Sequence, residues 1–280
     1  MVNRPTSSRL ALRRELVRLR IAAKLRQADV ATTLYWSTSK MARIESGEVA
    51  VTVTDLKALL GVYKADPVTV ERLVALAVGS RERRWWTSYR DVLTPEQQQY
   101  MGFEADAVHL HLFEANVIPD LLQTREYMRA VIPAMSWVPM DPPHLDRLVE
   151  VRCRRQREII TGSSAQVEVV LDEAALHRQV GGPTVWREQL HRLADAARQG
   201  LVRLGVVPFT TSTHIGLRGP MHIMEFGGGA AVAYVRDTNQ AMDVRDTPDQ
   251  VARYSRNFVT LSTAASHGND ALDLVDKAAA

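Results

Sequence analysis

Residues 27–47 read QADVATTLYWSTSKMARIESG. Val30 and Leu34 stand four apart, one face of a short helix, and Tyr35 and Trp36 follow at a corner. A second short helix then runs from about Ser37 to Ser46, with Met41 and Ile44 turned inward. Ser37, Thr38, Ser39, Lys40 and Arg43 are left facing out. Two short helices meeting at a tight corner, the second with a polar outer face, outline a helix-turn-helix, whose second helix has the width and polarity to enter a DNA major groove. The same outline occurs in helical bundles that never meet nucleic acid, so the flanking sequence decides between the two.

On the N-terminal side, the run from Ser8 to Ala23 places Leu12, Leu16, Leu19 and Ala23 at steps of four, three and four, one face of a helix. Its remaining surface carries Arg9, Arg13, Arg14, Arg18 and Arg20. In an arbitrary protein that is a solvated face; beside a recognition helix, arginines such as Arg13 and Arg18 read better as phosphate contacts that hold the domain on the duplex without reading sequence. Gln27 opens the next helix, where its amide and the exposed backbone N–H groups can meet a phosphate. Thr38, Ser39 and Lys40 come first in the second helix and should enter the groove deepest, while Arg43, one turn on, either pairs with guanine or clamps the backbone. Glu45 has a rival structural duty, to pair with a basic residue of the first helix and orient it.

Gly47 follows as a C-cap signal. Thr52 and Asp55 then stand at capping-box spacing, and Leu56, Leu59, Leu60 and Tyr63 form one face. A further helix after Asp66-Pro67 is carried by Val70, Leu73, Val74 and Ala77. The expectation is a compact head of five helices over residues 1–78. The stretch 13–49, RRELVRLRIAAKLRQADVATTLYWSTSKMARIESGEV, resembles the XRE-type (lambda-repressor-like) helix-turn-helix at Gln27, Ser37, Ser39, Lys40, Met41, Arg43, Ile44, Glu45 and Gly47. That resemblance implies that Gln27 and Lys40 or Arg43 touch DNA while Ile44 packs inside. Tyr35 departs from the family pattern, which has Gly at the corner, so the residue must either adopt a left-handed conformation or change the turn.

Charge divides the chain in the same way. Residues 1–90 hold 17 basic and 8 acidic side chains, a net of +9, and the remainder holds 18 and 24, a net of −6, so the overall +3 conceals a basic head on an acidic body. That polarity suits a DNA-binding head joined to something that should not stick to phosphate. One cysteine in 280 residues excludes a disulfide framework within the chain and fits a reducing compartment. The N-terminal stretch lacks an apolar core segment and no run approaches a membrane span, so the expected location is the cytoplasm, with no membrane partner.

Residues 79–93, GSRERRWWTSYRDVL, form an aromatic and basic joint, with Trp85, Trp86 and Tyr89 beside Arg81, Arg83 and Arg84. Paired tryptophans there are expected to pack rather than to offer a base-stacking platform. The body, residues 94–280, opens on the helix start Thr94-Pro95-Glu96-Gln97, and Thr247-Pro248-Asp249-Gln250 repeats the device. Helix patterns run through Phe103, Ala107 and Leu110, through Leu121 to Val131, and along Leu145, Val149, Cys153 and Ile160. Cys153, on that apolar face, reads as packing. Beyond Gly162 the period changes: Val167, Val169 and Leu171 mark a strand, Leu201 to Phe209 another, and Met221–Phe226 and Ala230–Val235 two more joined across Gly227-Gly228-Gly229 as a hairpin turn. Helices after Gly181-Gly182-Pro183 and through Val251, Tyr254, Phe258 and Leu261 complete the pattern. The fold class expected is mainly α, with an α+β C-terminal domain built on a helical region and a small, antiparallel sheet.

This body resembles the actinobacterial class in which an XRE-type head carries a region known as domain of unknown function 5753, often described as antitoxin-like. The matching segments are F-E-A-D-A at 103–107, I-P-D-L-L-Q-T at 118–124 with Tyr127 and Arg129, V-L-D-E-A-A-L-H-R-Q-V-G-G at 170–182, Gln189-Leu190, and V-V-P-F at 206–209. Asp120 stands where that family has Gly. The resemblance implies a cytosolic transcriptional regulator whose body binds a small partner protein encoded nearby or senses a small-molecule effector.

Catalysis is not expected. Taken as helical, His109 and His111 point apart and cannot form the i,i+4 zinc pair of an H-E-x-x-H helix. The other histidines are scattered, and the sequence holds no G-x-S-x-G elbow, Walker loop or dinucleotide fingerprint. Asp172 and Glu173 close a strand, where they either serve a cation or substrate or complement a helix N-terminus. No cofactor and no metal are implied. Three readings stay open: a DNA-binding regulator with a protein-binding body, one with a ligand-sensing body, and an interaction module that does not engage DNA. Double-stranded DNA is the expected partner of the first two, and because one short helix reads few base pairs, a homodimer is expected.

Overall fold

The computed structural model describes residues 7–49, 51–79, 84–236 and 242–280, and the chain forms two compact units that divide after Asp106. Arg81 and Arg83 lie outside the described residues.

The first unit begins with five helices: α1 (Ser7–Ala22), α2 (Gln27–Thr33), α3 (Thr38–Ser46), α4 (Val53–Val62) and α5 (Pro67–Gly79). The apolar faces expected from spacing converge on one core, in which Leu12, Leu16, Val30, Met41, Ile44, Leu56, Leu59 and Leu73 are buried. Ser37 and Thr52 cap α3 and α4 by accepting from the backbone N–H of Lys40 and Asp55. A 3-10 turn over Trp85–Tyr89 and helix α6 (Pro95–Asp106) belong to this unit, with α6 packed on α1 and Asp106 accepting from Ser7 and, at 2.5 Å, from Arg84. Thr94 and Gln97 close the expected capping box, 2.8 and 3.3 Å.

Three helix ends in this unit turn on a non-glycine residue at positive φ: Lys24 (58°), Tyr35 (55°) and Lys64 (54°). Each is followed by a residue whose N–H reaches back five positions, Leu25 to Arg20, Trp36 to Ala31 and Ala65 to Leu60, which is the Schellman closure. Of the two options the sequence left at Tyr35, the chain takes the left-handed one, at a cost of roughly 1–2 kcal/mol for an L-residue.

On the α5 side of α1, Glu15 accepts two hydrogen bonds from Arg18, both 2.8 Å, and one from Arg72 at 2.7 Å. The bonds from Arg18, and then Arg72, outweigh burial and hold the Glu15 carboxyl down at about 2 against an ordinary 4.5. A depressed carboxyl contributes stability above its unfolded value that is lost as pH falls through the folded one. Acid unfolding of the first unit should therefore steepen between about pH 4.5 and 2, and Glu15→Gln should flatten that limb. Denaturation by circular dichroism against pH checks this; unchanged limbs in the variant would refute it.

The second unit is built on a seven-stranded sheet in the order β6-β5-β4-β1-β2-β3-β7. In chain order it runs β1 (His109–Glu114), α7 (Arg125–Ala134), α8 (Pro142–Gln156, ending in a π turn), β2 (Gln166–Asp172), α9 (Ala174–His177), α10 (Pro183–Arg198) and β3 (Arg203–Val207). It continues with β4 (Met221–Glu225), β5 (Ala231–Arg236), β6 (Met242–Arg245), α11 (Pro248–Ala264), β7 (Ser266–His267) and α12 (Gly268–Ala279). The four strands expected from alternation are β2, β3, β4 and β5, and Gly228 and Gly229, both at positive φ, make the expected hairpin turn between the last two.

Four of the six pairings are antiparallel, but β1, β2 and β3 run parallel, with α7 and α8 in the first crossover and α9 and α10 in the second. The sheet is thus mixed and larger than expected. The helix pattern through Phe103, Ala107 and Leu110 is also corrected: α6 stops at Asp106, and Leu110 belongs to β1, the central strand. Period two and period 3.6 overlap at Leu110, and pairing on both edges with β2 and β4 decides the contest. Phe258 and Leu261 of α11 cover one sheet face at Phe113, Val170, Ile223 and Ala233.

Candidate nucleic-acid interface

Helix α3 is held from three directions. Glu45, on its inner face, accepts from Arg20 Nε at 2.7 Å and Nη2 at 2.9 Å, and from Gln27 Nε2 at 2.7 Å. Arg20 also donates to the Leu25 carbonyl at 2.8 Å, so one half-buried network ties α1, the α1–α2 corner and α2 to α3. The rival duty considered for Glu45 is the one it performs. At the far end Gly47 terminates the helix at φ 81°, and Arg13 donates to the Ser46 carbonyl at 2.9 Å. A Cβ at position 47 would lie 3.1 Å from the Arg13 guanidinium, so the glycine serves both the left-handed turn and the close approach.

Facing outward are Thr38 and Ser39, exposed in the first turn, then Arg43 and Ser46. Ser39, Arg43 and Ser46 follow at steps of four and three, one stripe along the helix. Arg43 is loosely paired with Glu48 at 3.4 Å, an exposed pair that solvent already screens and an anion can replace. Ser37 Oγ is occupied as the cap but keeps its own proton to donate. Lys40 lies with its ammonium 3.7 Å above the Trp36 ring and 3.0 Å from Asp55, turned toward α4.

The structure therefore gathers Gln27, Ser37, Thr38, Ser39, Lys40, Arg43 and Arg13 around α3, with Gln27 and Lys40 engaged in holding it. Arg18 stands apart. It lies five residues beyond Arg13, about 140° around α1 at 100° per residue, and pairs with Glu15 beside α5. The sequence contained that signal in the helical phase of the two arginines. Trp86 and Tyr89 are buried, and Trp85 meets both rings edge to face at 5.5 and 5.8 Å, so these aromatics pack rather than offer a stacking platform.

The second unit places its polar residues differently from the sequence reading. His109 and His111 lie on one face of β1, not on opposite sides of a helix, within 3.3 and 3.7 Å of Glu225, and His111 also meets Glu168 at 3.2 Å. Asp172 pairs with His214 at 3.0 Å and accepts from the Ala174 N–H at 2.8 Å, the helix-start role among those considered. Glu173 accepts from the Phe209 N–H at 2.6 Å. Cys153 is half-buried and accepts from Arg125 at 3.4 Å. Between α8 and the 3-10 turn over Asp120–Leu122 lies a polar cluster: Arg155 to Asp120 at 2.7 and 3.1 Å, and Arg152 to Gln123 at 3.0 Å. Among the described residues no group of three or more His, Cys, Asp or Glu could hold a metal ion, and no helix is long and apolar enough to cross a membrane.

Two family models match the chain. A helix-turn-helix domain matches residues 11–73, which take in most of α1, all of α2, α3 and α4, and the first half of α5, and it gives the head a DNA-binding, regulatory character. A domain of unknown function, DUF5753, covers residues 97–277. No curated protein and no solved structure matches the chain. Since the larger match spans more than half of the 280 residues, the chain belongs to the DUF5753 family, with a helix-turn-helix domain at its N-terminal end.

Proposed function

We infer that the protein is a sequence-specific, XRE-type transcriptional regulator of the cytoplasm that binds double-stranded DNA as a homodimer and whose body binds a small partner protein. The observation that carries the DNA-binding part is the presentation of α3: its inner face is fixed by Arg20, Gln27 and Glu45, and Thr38, Ser39, Arg43 and Ser46 are left open on a basic head. In this reading Thr38, Ser39 and Arg43 meet bases. Gln27, Ser37 and Lys40 border the groove, and Arg13 holds the backbone beside α3.

A protein-binding body is supported by the loop after α7, where Met135, Trp137 and Val138 are exposed and Trp137 is 90% accessible. Ser136 Oγ bonds both the N–H and the carbonyl of Val138, which holds that tip in one shape.

Replacing Arg43 by Ala should weaken specific binding by roughly 1–3 kcal/mol if it pairs with a base, and Arg13→Ala should weaken all duplexes alike and flatten the salt dependence. Titration of selected and scrambled duplexes at several salt concentrations reads both. An unchanged ratio of specific to non-specific affinity in the Arg43 variant would remove its reading role. A chain that binds no duplex in a salt-dependent manner would leave the interaction-module reading.

A further inference from the structure

We propose that Tyr35 is a DNA contact, with its phenol donating to a phosphate oxygen beside the N-terminal end of α3. This rests on the DNA-binding reading of the head and adds a residue to it.

The starting point is a conformation without an internal return. Tyr35 is held at φ 55° with its side chain 98% accessible, so it takes a left-handed backbone and packs against nothing that would offset it. Lys24 and Lys64 close their helices with the same geometry and are also exposed, but a cation at a helix C-terminus is favoured by the helix dipole. A tyrosine gains nothing from that field. Glycine would fill the corner without strain, and the large aromatic present instead is explained by something outside the chain.

Its position says what that is. Tyr35 stands two residues before Ser37, the cap of α3, and Ser37, Thr38 and Ser39 are exposed beside it. Four hydroxyl groups within five residues make the approach to the recognition helix. Lys40, in the same turn of α3, is directed over Trp36 toward Asp55. Neutral O–H donors suit phosphate oxygens and the sugar edge, and a phenol supplies both a donor and a flat apolar face.

A neutral donor releases no counterion, which separates this contact from those of the arginines. The test is fluorescence anisotropy of the full-length protein with a labelled duplex of arbitrary sequence over a range of salt, alongside thermal melting. Tyr35→Phe keeps the ring and the backbone and should lose about tenfold in affinity, the worth of one hydrogen bond to a charged oxygen. Tyr35→Gly should lose at least as much while melting about 4 °C or more higher, and in both variants the salt slope should stay that of the wild type. Wild-type affinity in either variant would overturn the contact. A weaker Gly variant with a flatter slope would also overturn it, since charge contacts would then have been lost through displacement of α3. A wild-type protein that binds no duplex would overturn the DNA-binding reading, and the Tyr35 contact with it.

Discussion

Glu45→Ala is expected to destabilise the first unit by about 3 kcal/mol, because it leaves a largely covered guanidinium without its counter-charge. Glu45 and Arg20 are 5% and 14% accessible at their side chains, and the carboxylate takes three hydrogen bonds, two from Arg20 and one from Gln27. Its removal orphans donors on two helices at once, and water reaches that site poorly. For a unit of this size the loss lowers the Tm by about 12 °C or more. DNA affinity should fall with it, since Arg20 and Gln27 are what holds the inner face of α3. Calorimetry of the full-length protein resolves the effect from the second unit, whose transition should not move. The control is Arg20→Met with Glu45→Leu: an apolar replacement of both charges can recover most of the stability. A single Glu45 variant within 1 kcal/mol of the wild type would show that solvent already shares the pair.

How much of this was legible in the sequence depends on the range of the interaction. The faces of α1 to α5 follow from apolar spacing, and the corner at Gly47 from the need for a left-handed residue, because both are decided within a few positions. Pairing with a basic residue of α1 was legible as a rival duty of Glu45. That Gln27 joins it was not, because the side chains meet only after α2 and α3 are packed. Lys40 looked like a groove contact on its own helix, and its actual course is set by Asp55, fifteen residues on, and by the Trp36 ring. In the body, β1 was hidden because its alternation is short and overlaps a helical period, and its edges are satisfied by strands far along the chain. Helix α12 buries mainly small residues, Ala271, Ala278 and Ala279 with Val275.

The largest effect in the second unit is expected from Asp120→Asn. Burial alone would push the Asp120 carboxyl up, but the charges of Arg155 and then Arg152 outweigh it and hold it well below the usual carboxylate range. The turn it sits on is irregular, so side chains satisfy its backbone: Gln156 donates to the carbonyls of Asp120 and Gln123 at 2.6 and 2.9 Å, and Gln123 to that of Ile118 at 2.7 Å. Gln189, fully buried, donates to the Leu122 carbonyl at 2.9 Å and accepts from the Thr124 N–H at 2.7 Å. Asparagine keeps the shape and removes the carboxylate charge that acts on both Arg152 and Arg155, leaving the two guanidinium groups less compensated in a poorly hydrated place. A loss of about 3–5 kcal/mol follows. Arg155→Met should cost less, because Arg152 remains to face the carboxylate. The sign with pH is fixed: a depressed carboxyl contributes above its unfolded value and loses that contribution as pH falls. The Asn penalty should therefore be full at neutral pH and shrink in acid, where the wild type begins to share the defect. Urea denaturation of both variants at neutral and acid pH measures this. A penalty that does not change with pH would mean that asparagine disrupts the packing of the turn rather than its charge balance, and an Arg155 variant as damaged as the Asn variant would mean that Arg152 does not reach the carboxylate.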